Sequence, residues 1–517
     1  MEREKSAKVF WNDLDPIVTL SVIGVYIFCV GFIAVDAETF NGFFKGIRNW
    51  LIFNVNWGFQ LFNLVVVLLA LGIAVSKWGS IKLGKDEDTP EYSNFAWLAM
   101  LFSSGFGLTM WLLSTTEIIW HWYGSDFIID AGFKGDPKGV AMAMQSVLMD
   151  NGIHGWVLFS MGGLALALPA YRLGKPMNLG VGLYGILGER SYNSGWSRIT
   201  DILGAIAGIG ANVGAIGLGS MTLVTGLKVI FDLELGTAGR FLIVVLLTAG
   251  FVFSAASGID KGIKKLSLIN IWLSLGITLF IIVLGPTNYI MNTMIESLGR
   301  YMSYFFDFSL WADTGNFKDG AYAPRGWQNW WLVFYILWWI AMVPFVGGFF
   351  ARISKGRTVR EYLFGTIIMP SLLILFFWGA WGSLSAHAQI TGLFDVYAMV
   401  QNDMGGVVFE LLKFLPLTAL TMFVVFLSST MYGITTYDSA TYYISMQFAK
   451  GDLTPKTSIR VALGCFVGAI SLIFLIIGDF EGVKTLFIVC GAPFTFVMIG
   501  YIISVFKMLD RAHKGEM

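Results

Sequence analysis

The sequence predicts an all-α polytopic membrane protein of about 12 transmembrane helices, and three observations carry that prediction. Of 517 residues, 56% are hydrophobic and 13% charged, against about 25% charged in an ordinary soluble domain. Apolar runs of the roughly 20 residues needed to cross about 30 Å of hydrocarbon recur along the chain with short polar gaps between them. Lysines and arginines collect in alternate gaps, as loops on one side of a membrane do.

The candidate spans run Asp15 to Val35, Trp50 to Val75, Phe95 to Tyr123, Val140 to Tyr171, Ile199 to Phe231, Phe241 to Ser257, Leu266 to Leu284, Trp327 to Ala351, Tyr362 to Ser385, Leu415 to Phe448, Val461 to Ile477 and Thr485 to Phe506. The first is longer than a signal-peptide core and has no small-residue cleavage pattern, so it reads as retained. Between the seventh and eighth, Tyr289 to Phe308 mixes aromatics with Glu296, Arg300 and Asp307 and reads as an amphipathic helix lying on one membrane face. Trp11, Trp50 and Trp78 suit the aromatic belt at the interfaces.

Arg3, Lys5 and Lys8 precede the first span, Lys77, Lys82 and Lys85 follow the second, and Arg172, Lys175, Arg190 and Arg198 follow the fourth. The series continues after the sixth (Lys261, Lys264, Lys265), the eighth (Arg352, Lys355, Arg357, Arg360), the tenth (Lys450, Lys456, Arg460) and the last (Lys507, Arg511, Lys514). This side is expected to be cytoplasmic, with both termini, in a multi-pass protein of the cytoplasmic (inner) membrane. The 34 basic and 34 acidic residues cancel, which leaves no net field to attract nucleic acid. Cys29, Cys465 and Cys490 sit inside spans without Cys-x-x-Cys spacing, so neither a disulfide framework nor a thiolate metal site is indicated. With no catalytic triad, phosphate loop or histidine metal cluster in view, neither an enzyme nor an organic cofactor is predicted.

Hydrocarbon leaves no water to satisfy a broken backbone, so glycine clusters and polar runs inside a span mark helix that is interrupted to line a cavity. The third span carries Ser103-Ser104-Gly105-Phe106-Gly107-Leu108-Thr109 and the eighth carries Trp338-Trp339 through Pro344 to Gly347-Gly348. Five spans separate them. Spans three to seven and eight to twelve therefore read as two inverted five-helix halves, each opening with an interrupted or weakened helix, with spans one and two outside the pair. The simpler alternative is that glycines, 60 in this chain, only let membrane helices approach closely.

Phe334-Tyr335-Ile336-Leu337-Trp338-Trp339, then Pro344-Phe345-Val346-Gly347, then Ala351-Arg352-Ile353-Ser354-Lys355-Gly356-Arg357-Thr358-Val359-Arg360-Glu361, closely resembles the signature of the betaine/choline/carnitine transporter family, and Ser114-Thr115-Thr116-Glu117 is a second match. The resemblance implies a leucine-transporter-type core of two inverted five-helix repeats plus two N-terminal helices, usually assembled as a homotrimer in the lipid bilayer. The implied division is 1–90 (tail and two peripheral helices), 91–288 (first repeat), 289–325 (amphipathic helix and loop), 326–507 (second repeat) and 508–517 (short cytoplasmic tail). The implied activity is secondary transport, sodium-coupled symport of a small betaine-like zwitterionic methylated amine. The alternatives are an ion-independent exchanger of related quaternary or methylated amines and, from other classes, a membrane-embedded enzyme or a channel.

A quaternary ammonium has no N–H to donate, so aromatic faces are the natural way to hold it, each contributing about 0.5–2 kcal/mol. The resemblance puts Trp339 and Trp156 on two walls of the family's aromatic box, with Trp338, Phe345, Gly105 and Gly107 among the substrate-binding positions. Other walls depart from it. Asn151 stands where the family has a tryptophan, Phe159 where it commonly has tyrosine, and Met342 where it has a tryptophan. Asn151, with Asp150 beside it, brings hydrogen-bond acceptors that suit a less methylated amine or a zwitterion with an extra polar group; alternatively, Asn151 glues a neighbouring helix. Gly105-Phe106-Gly107-Leu108-Thr109 keeps two glycines of the run typical of betaine carriers, while Thr109 matches neither the glycine of those carriers nor the aspartate of choline carriers.

Thr435-Thr436-Tyr437-Asp438-Ser439 is similar to the family's hydroxyl pair followed by Asp-Ser. The implied sodium ligands are Thr435 and Thr436 facing loosened backbone at Ser103 and Phe106; the alternative is that both hydroxyls bond back to their own helix. Asn270 falls where carnitine exchangers place an arginine that substitutes for the ion. Glu117, Asp438 and His154 are ionisable groups at membrane depth, read here as structural, with His154 packing beside Gly155. The few residues after Lys507 lack the long basic extension of osmotically activated members, which favours nutrient uptake.

Overall fold

The computed structural model describes residues 13–105, 107–315, 317–318, 321–322, 326–477 and 480–517; the basic tail at Arg3, Lys5 and Lys8, and Trp11, lie outside them. Helix α1 (Pro16–Val35) begins where Asp15 accepts hydrogen bonds from the amides of Ile17 and Val18 and Pro16 presets the first turn. Its outer face is lipid-like, with Leu20 and Phe28 well exposed. The second expected span is corrected. Trp50 to Asn54 belong to a separate amphipathic helix, α2 (Ala37–Asn54), started by the Asp36 cap on Thr39, and the chain turns at Val55 before α3 (Asn56–Val75). Lys45 and Arg48 within α2 give it the mixed face of an amphipathic helix rather than the apolar run of a span.

The core follows as α4 (Asn94–Gly105), α5 (Met110–Gly124), α6 (Val140–Asn151), α7 (Ile153–Leu173), α8 (Gly195–Phe231), α9 (Gly236–Ser257) and α10 (Lys264–Leu284). The amphipathic α11 (Thr287–Ser303) comes next, where a surface helix was expected. A second series is α12 (Trp327–Ile353), α13 (Met369–Thr391, entered through a π-turn at Phe364–Ile368), α14 (Thr418–Phe448), α15 (Thr457–Ile477) and α16 (Phe480–His513). Among the described residues, ten helices are long and apolar enough to cross a membrane, or eleven when the bent α4–α5 pair counts as one span, and α15 occupies the remaining expected position. The third span is interrupted where expected, α4 and α5 meeting at 60°; the fourth departs from expectation, split at Gly152, whose φ of −92° and ψ of −135° end α6 before α7 starts.

Helix α12 is the axis of the bundle, buried along its whole apolar length and packed on α7, α8, α14 and α16. It was expected to be interrupted or weakened near Pro344; it is instead one continuous helix. Close packing accounts for this. A Cβ on Gly347 would sit 2.9 Å from the Phe159 carbonyl of α7, and one on Gly348 would overlap the Tyr443 ring of α14, so these glycines seat neighbouring helices rather than break their own.

Both described ends of the chain lie on one face with the basic loops. Lys456 pairs with Asp13 at 2.6 Å, Arg198 with Asp15 at 3.4 Å, and Arg172 reaches the Gly84 and Met517 carbonyls at 3.2 Å. The signature segment after α12 pairs its backbone with residues 81–83, through Leu83 to Arg357, Gly356 to Leu83 and Val359 to Ile81, all at 2.8 Å. Arg357 lies 3.8 Å above the Trp97 ring and donates to Asn94 and the Tyr92 carbonyl.

The α7–α12 seam depends on backbone contact. A Cβ on Gly163 would overlap the Tyr362 hydroxyl and approach the Gly347 carbonyl. Gly163→Leu is therefore expected to lower the thermal unfolding midpoint of the detergent-purified protein at a cost of about 1–3 kcal/mol. Gly31→Ala, on the outer face of α1 with nothing within 4 Å, should leave it unchanged or slightly raised.

Candidate functional site

The site begins where α4 stops. A Cβ on Gly105 would lie 2.6 Å from the Trp156 ring and one on Gly107 would lie 3.2 Å from the Thr436 hydroxyl, so only glycine lets the chain pass between α7 and α14 here. The break frees the Ser103 carbonyl, whose helical partner would have been the amide of Gly107, and Thr436 Oγ1 donates to it at 2.8 Å. The Ser103 hydroxyl is buried and has no hydrogen-bond partner among the described residues. Thr435, the other hydroxyl of the pair, bonds back to the Met431 carbonyl at 2.9 Å. Phe106 lies outside the described residues.

A small cavity of about 20 Å³ opens at this break, lined by Gly105, Gly107, Thr109, Leu113, Asn151, Ala215, Trp338, Trp339, Met342 and Thr436. Seven of the sequence-predicted substrate positions thus meet at one point, joined by Thr436. Trp156 and Phe159 stand behind Trp339, with ring centroids 6.1 and 4.9 Å from it. Phe345 is not on the wall; it packs toward Gly208 of α8. Leu113 and Ala215 were not foreseen, since nothing in their local sequence separates them from lipid-facing neighbours.

The split at Gly152 organises the aromatic wall. Carbonyls near the end of α6 lose helical donors, and two indoles supply them: Trp339 donates to the Asp150 carbonyl at 2.9 Å and Trp156 to the Asn151 carbonyl at 3.1 Å. Asn151-Gly152 is a turn dipeptide that could have revealed this break.

Behind the wall lies a polar cluster. Asn151 Nδ2 donates to both oxygens of Glu117 at 2.8 and 3.0 Å, the Trp378 indole donates to Glu117 at 3.2 Å, and His121 Nε2 is 3.1 Å from Asp150. Glu117 is thus a structural acceptor, and Asn151 both lines the cavity and ties α6 to α5. The His121–Asp150 contact was not foreseen, although Glu117 and His121 one turn apart on an apolar helix were its signal. His154 Nε2 meets Ser309 at 2.9 Å and its ring packs on Phe305 of the short helix Phe305–Ser309 that follows α11. Asp438 accepts from Ser254 and Ser439, and Asn270 accepts from Ser428 at 2.7 Å.

An interrupted helix thus faces an aromatic mid-helix pair across a leucine-transporter-type bundle. The substrate-bound outward-open structure of a Na+-coupled sialic acid symporter shares this fold, at 13% identity and a TM-score of 0.50 over 86% of both chains. The family described as BCCT, betaine/carnitine/choline family transporter, matches residues 16–514, and the chain belongs to that family. A probable glycine betaine transporter of Desulfitobacterium hafniense is 33% identical over 89% of this chain and 90% of its own. An osmo-independent choline transporter, BetT1, of Acinetobacter baylyi is 30% identical over 97% and 93%. The protein is a multi-pass membrane transporter of this family, not an enzyme.

Removing the Asn151 amide would leave the Glu117 carboxylate short of a donor. Asn151→Leu is expected to destabilise the purified protein by about 1–3 kcal/mol in thermal unfolding, and adding Glu117→Gln should recover part of that loss.

Proposed function

We propose that this chain is a sodium-driven symporter that carries a small zwitterionic methylated amine across the cytoplasmic membrane by alternating access. The observation that carries this reading is the meeting of the α4–α5 break, the mid-helix pair Trp338 and Trp339 and the Thr436 hydroxyl at one cavity. Trp339 and Trp156 would face the ammonium group, and Thr436 with the backbone at Ser103 and Phe106 would coordinate sodium, a hard cation that prefers oxygen. The names of the betaine and choline relatives support an amine cargo. Asn270, a neutral amide held by Ser428, supports an ion requirement over exchange. The basic loops gathered on the face of both described ends support cytoplasmic termini.

A cavity of about 20 Å³ holds about one water, so a methylated amine enters only when its walls part, as a carrier demands and a channel does not. One charge crossing about 100 mV contributes about 2.3 kcal/mol, and tenfold accumulation costs about 1.4 kcal/mol. Two sodium ions would support roughly thousandfold accumulation from potential alone. Asn151 turns its N–H edge to Glu117, which leaves its carbonyl as the free edge of the amide and favours a cargo with an N–H over a fully methylated one. The five-part division drawn from the sequence, with its repeats at 91–288 and 326–507, and a homotrimeric assembly belong to the same proposal.

In proteoliposomes with an imposed sodium gradient, Thr436→Ala is expected to raise the sodium concentration for half-maximal uptake severalfold. Thr435→Ala, whose hydroxyl serves its own helix, should raise it less, and unchanged sodium dependence in the double variant would count against this ion site. Trp339→Leu should weaken binding of glycine betaine or dimethylglycine about tenfold, as about 1.4 kcal/mol of lost ring attraction implies, with Trp339→Phe milder. Equal binding by a correctly inserted Trp339→Leu protein would remove the assigned box.

A further inference from the structure

One cluster beside the cavity has no part in that reading. Glu117 and His121 lie one turn apart on α5 and Asp150 reaches them from the end of α6; all three are buried, and one oxygen or nitrogen of each lies within 4.8 Å of the others. Glu117 receives the Asn151 and Trp378 N–H groups, a donor set suited to an ionised carboxylate. Both Asp150 oxygens and His121 Nε2 lack a well-aligned hydrogen-bond partner among the described residues, yet Nε2 and Oδ2 stand only 3.1 Å apart. Two carboxylates beside a neutral imidazole would carry two negative charges at membrane depth, a cost no site bears without a counter-charge.

Among the described residues, no lysine or arginine pairs with either carboxylate. Within that set, Glu117 and Asp150 pair with His121, at 3.9 and 3.1 Å. Tyr335 of α12 stands beside both carboxylates, and His154 of α7 with Tyr301 of α11 lies across a second small cavity. Arg300 of α11 covers Tyr304, and Glu410, on the short helix Val407–Leu412 packed against α5, pairs with Lys413. A proton shared within the cluster would supply the counter-charge. Asp150 and Trp339 both line the second cavity, of about 10 Å³, while Trp339 and Asn151 line the central one. The cluster thus touches the cargo cavity through Asn151 and the outer cavity through Asp150.

We infer that the Glu117–His121–Asp150 cluster is a proton site linked to the cargo site, releasing a proton when the ammonium end of the zwitterionic cargo binds. The inference rests on the amine reading of the cavity. A positive nitrogen arriving beside Asn151 favours the ionised carboxylates. The N–H or O–H bond shared by His121 and Asp150 then breaks, its electron pair stays on the cluster, and the proton leaves by way of the outer cavity to bulk water. By linkage, acid must weaken cargo binding, by as much as about tenfold per pH unit below the cluster's transition.

Calorimetric titration of the full-length purified protein with glycine betaine and, in parallel, dimethylglycine tests this, in buffers of low and high ionisation enthalpy at one pH and constant sodium. Wild-type heats should differ between buffers with the sign of proton release. His121→Gln and Asp150→Asn should bind with buffer-independent heats, and His154→Gln should keep the difference. Binding with buffer-independent heat in the wild type overturns the proton site while leaving the amine reading intact; no binding of either amine removes both. Loss of the difference in His154→Gln, or its removal by a metal chelator, also overturns the inference, the latter in favour of a metal ion.

Discussion

A broken helix inside a membrane must find donors and acceptors for the groups it exposes, and this protein is arranged around two such breaks. At the first, between α4 and α5, the Thr436 hydroxyl takes the Ser103 carbonyl that Gly107 would have capped. At the second, between α6 and α7, the indoles of Trp339 and Trp156 take the Asp150 and Asn151 carbonyls. Each repair uses a side chain from another helix, so each break is also a joint between helices. Unpaired, these carbonyls would cost several kcal/mol apiece in hydrocarbon, which is why the glycines that permit the breaks and the side chains that repair them belong together.

Much of this was legible in the sequence because membrane solvent imposes a coarse and repetitive grammar. Spans declare themselves by length, and the break at Gly105 by its polar and glycine content. What escaped detection depends on contacts between distant segments. Pro344 and Gly347-Gly348 look like an interruption, yet α12 runs through them because α7 and α14 press close enough to hold it straight. Trp50 looks like the start of a span, yet it belongs to a separate amphipathic helix that carries Lys45 and Arg48. The sequence could offer two hydroxyls at Thr435 and Thr436, but only the turn of about 100° between neighbours in a helix separates one that spans the break from one that serves its own turn.

Tryptophan has two roles here, as an apolar face and as a donor, and the two are exercised at once. Trp339 turns its ring toward Trp156 and Phe159 while its N–H is committed to Asp150. A ring whose N–H is fixed in this way cannot swing freely, so the wall it forms is set in orientation by a backbone atom of another helix. This ordering lowers the entropy to be lost when a cargo is enclosed. The substitution of Asn151 for an aromatic residue keeps the same logic, since its amide is fixed by Glu117.

The strap on the basic face has a mechanical consequence. Residues 81–83 share backbone hydrogen bonds with residues 356–359, and Arg360 donates to the Ala74 and Ser76 carbonyls at the end of α3. The peripheral helix α3 is thereby riveted to the turn that joins α12 to α13, and it also packs along α7 and α12. Any rocking of the bundle must carry α3 as cargo of the same rigid block, like ballast fixed to a keel, and the pivot has to fall elsewhere. The interrupted α4–α5 strut is tied differently, by one side-chain hydrogen bond from Thr436 to the Ser103 carbonyl, a lighter fastening than the backbone strap.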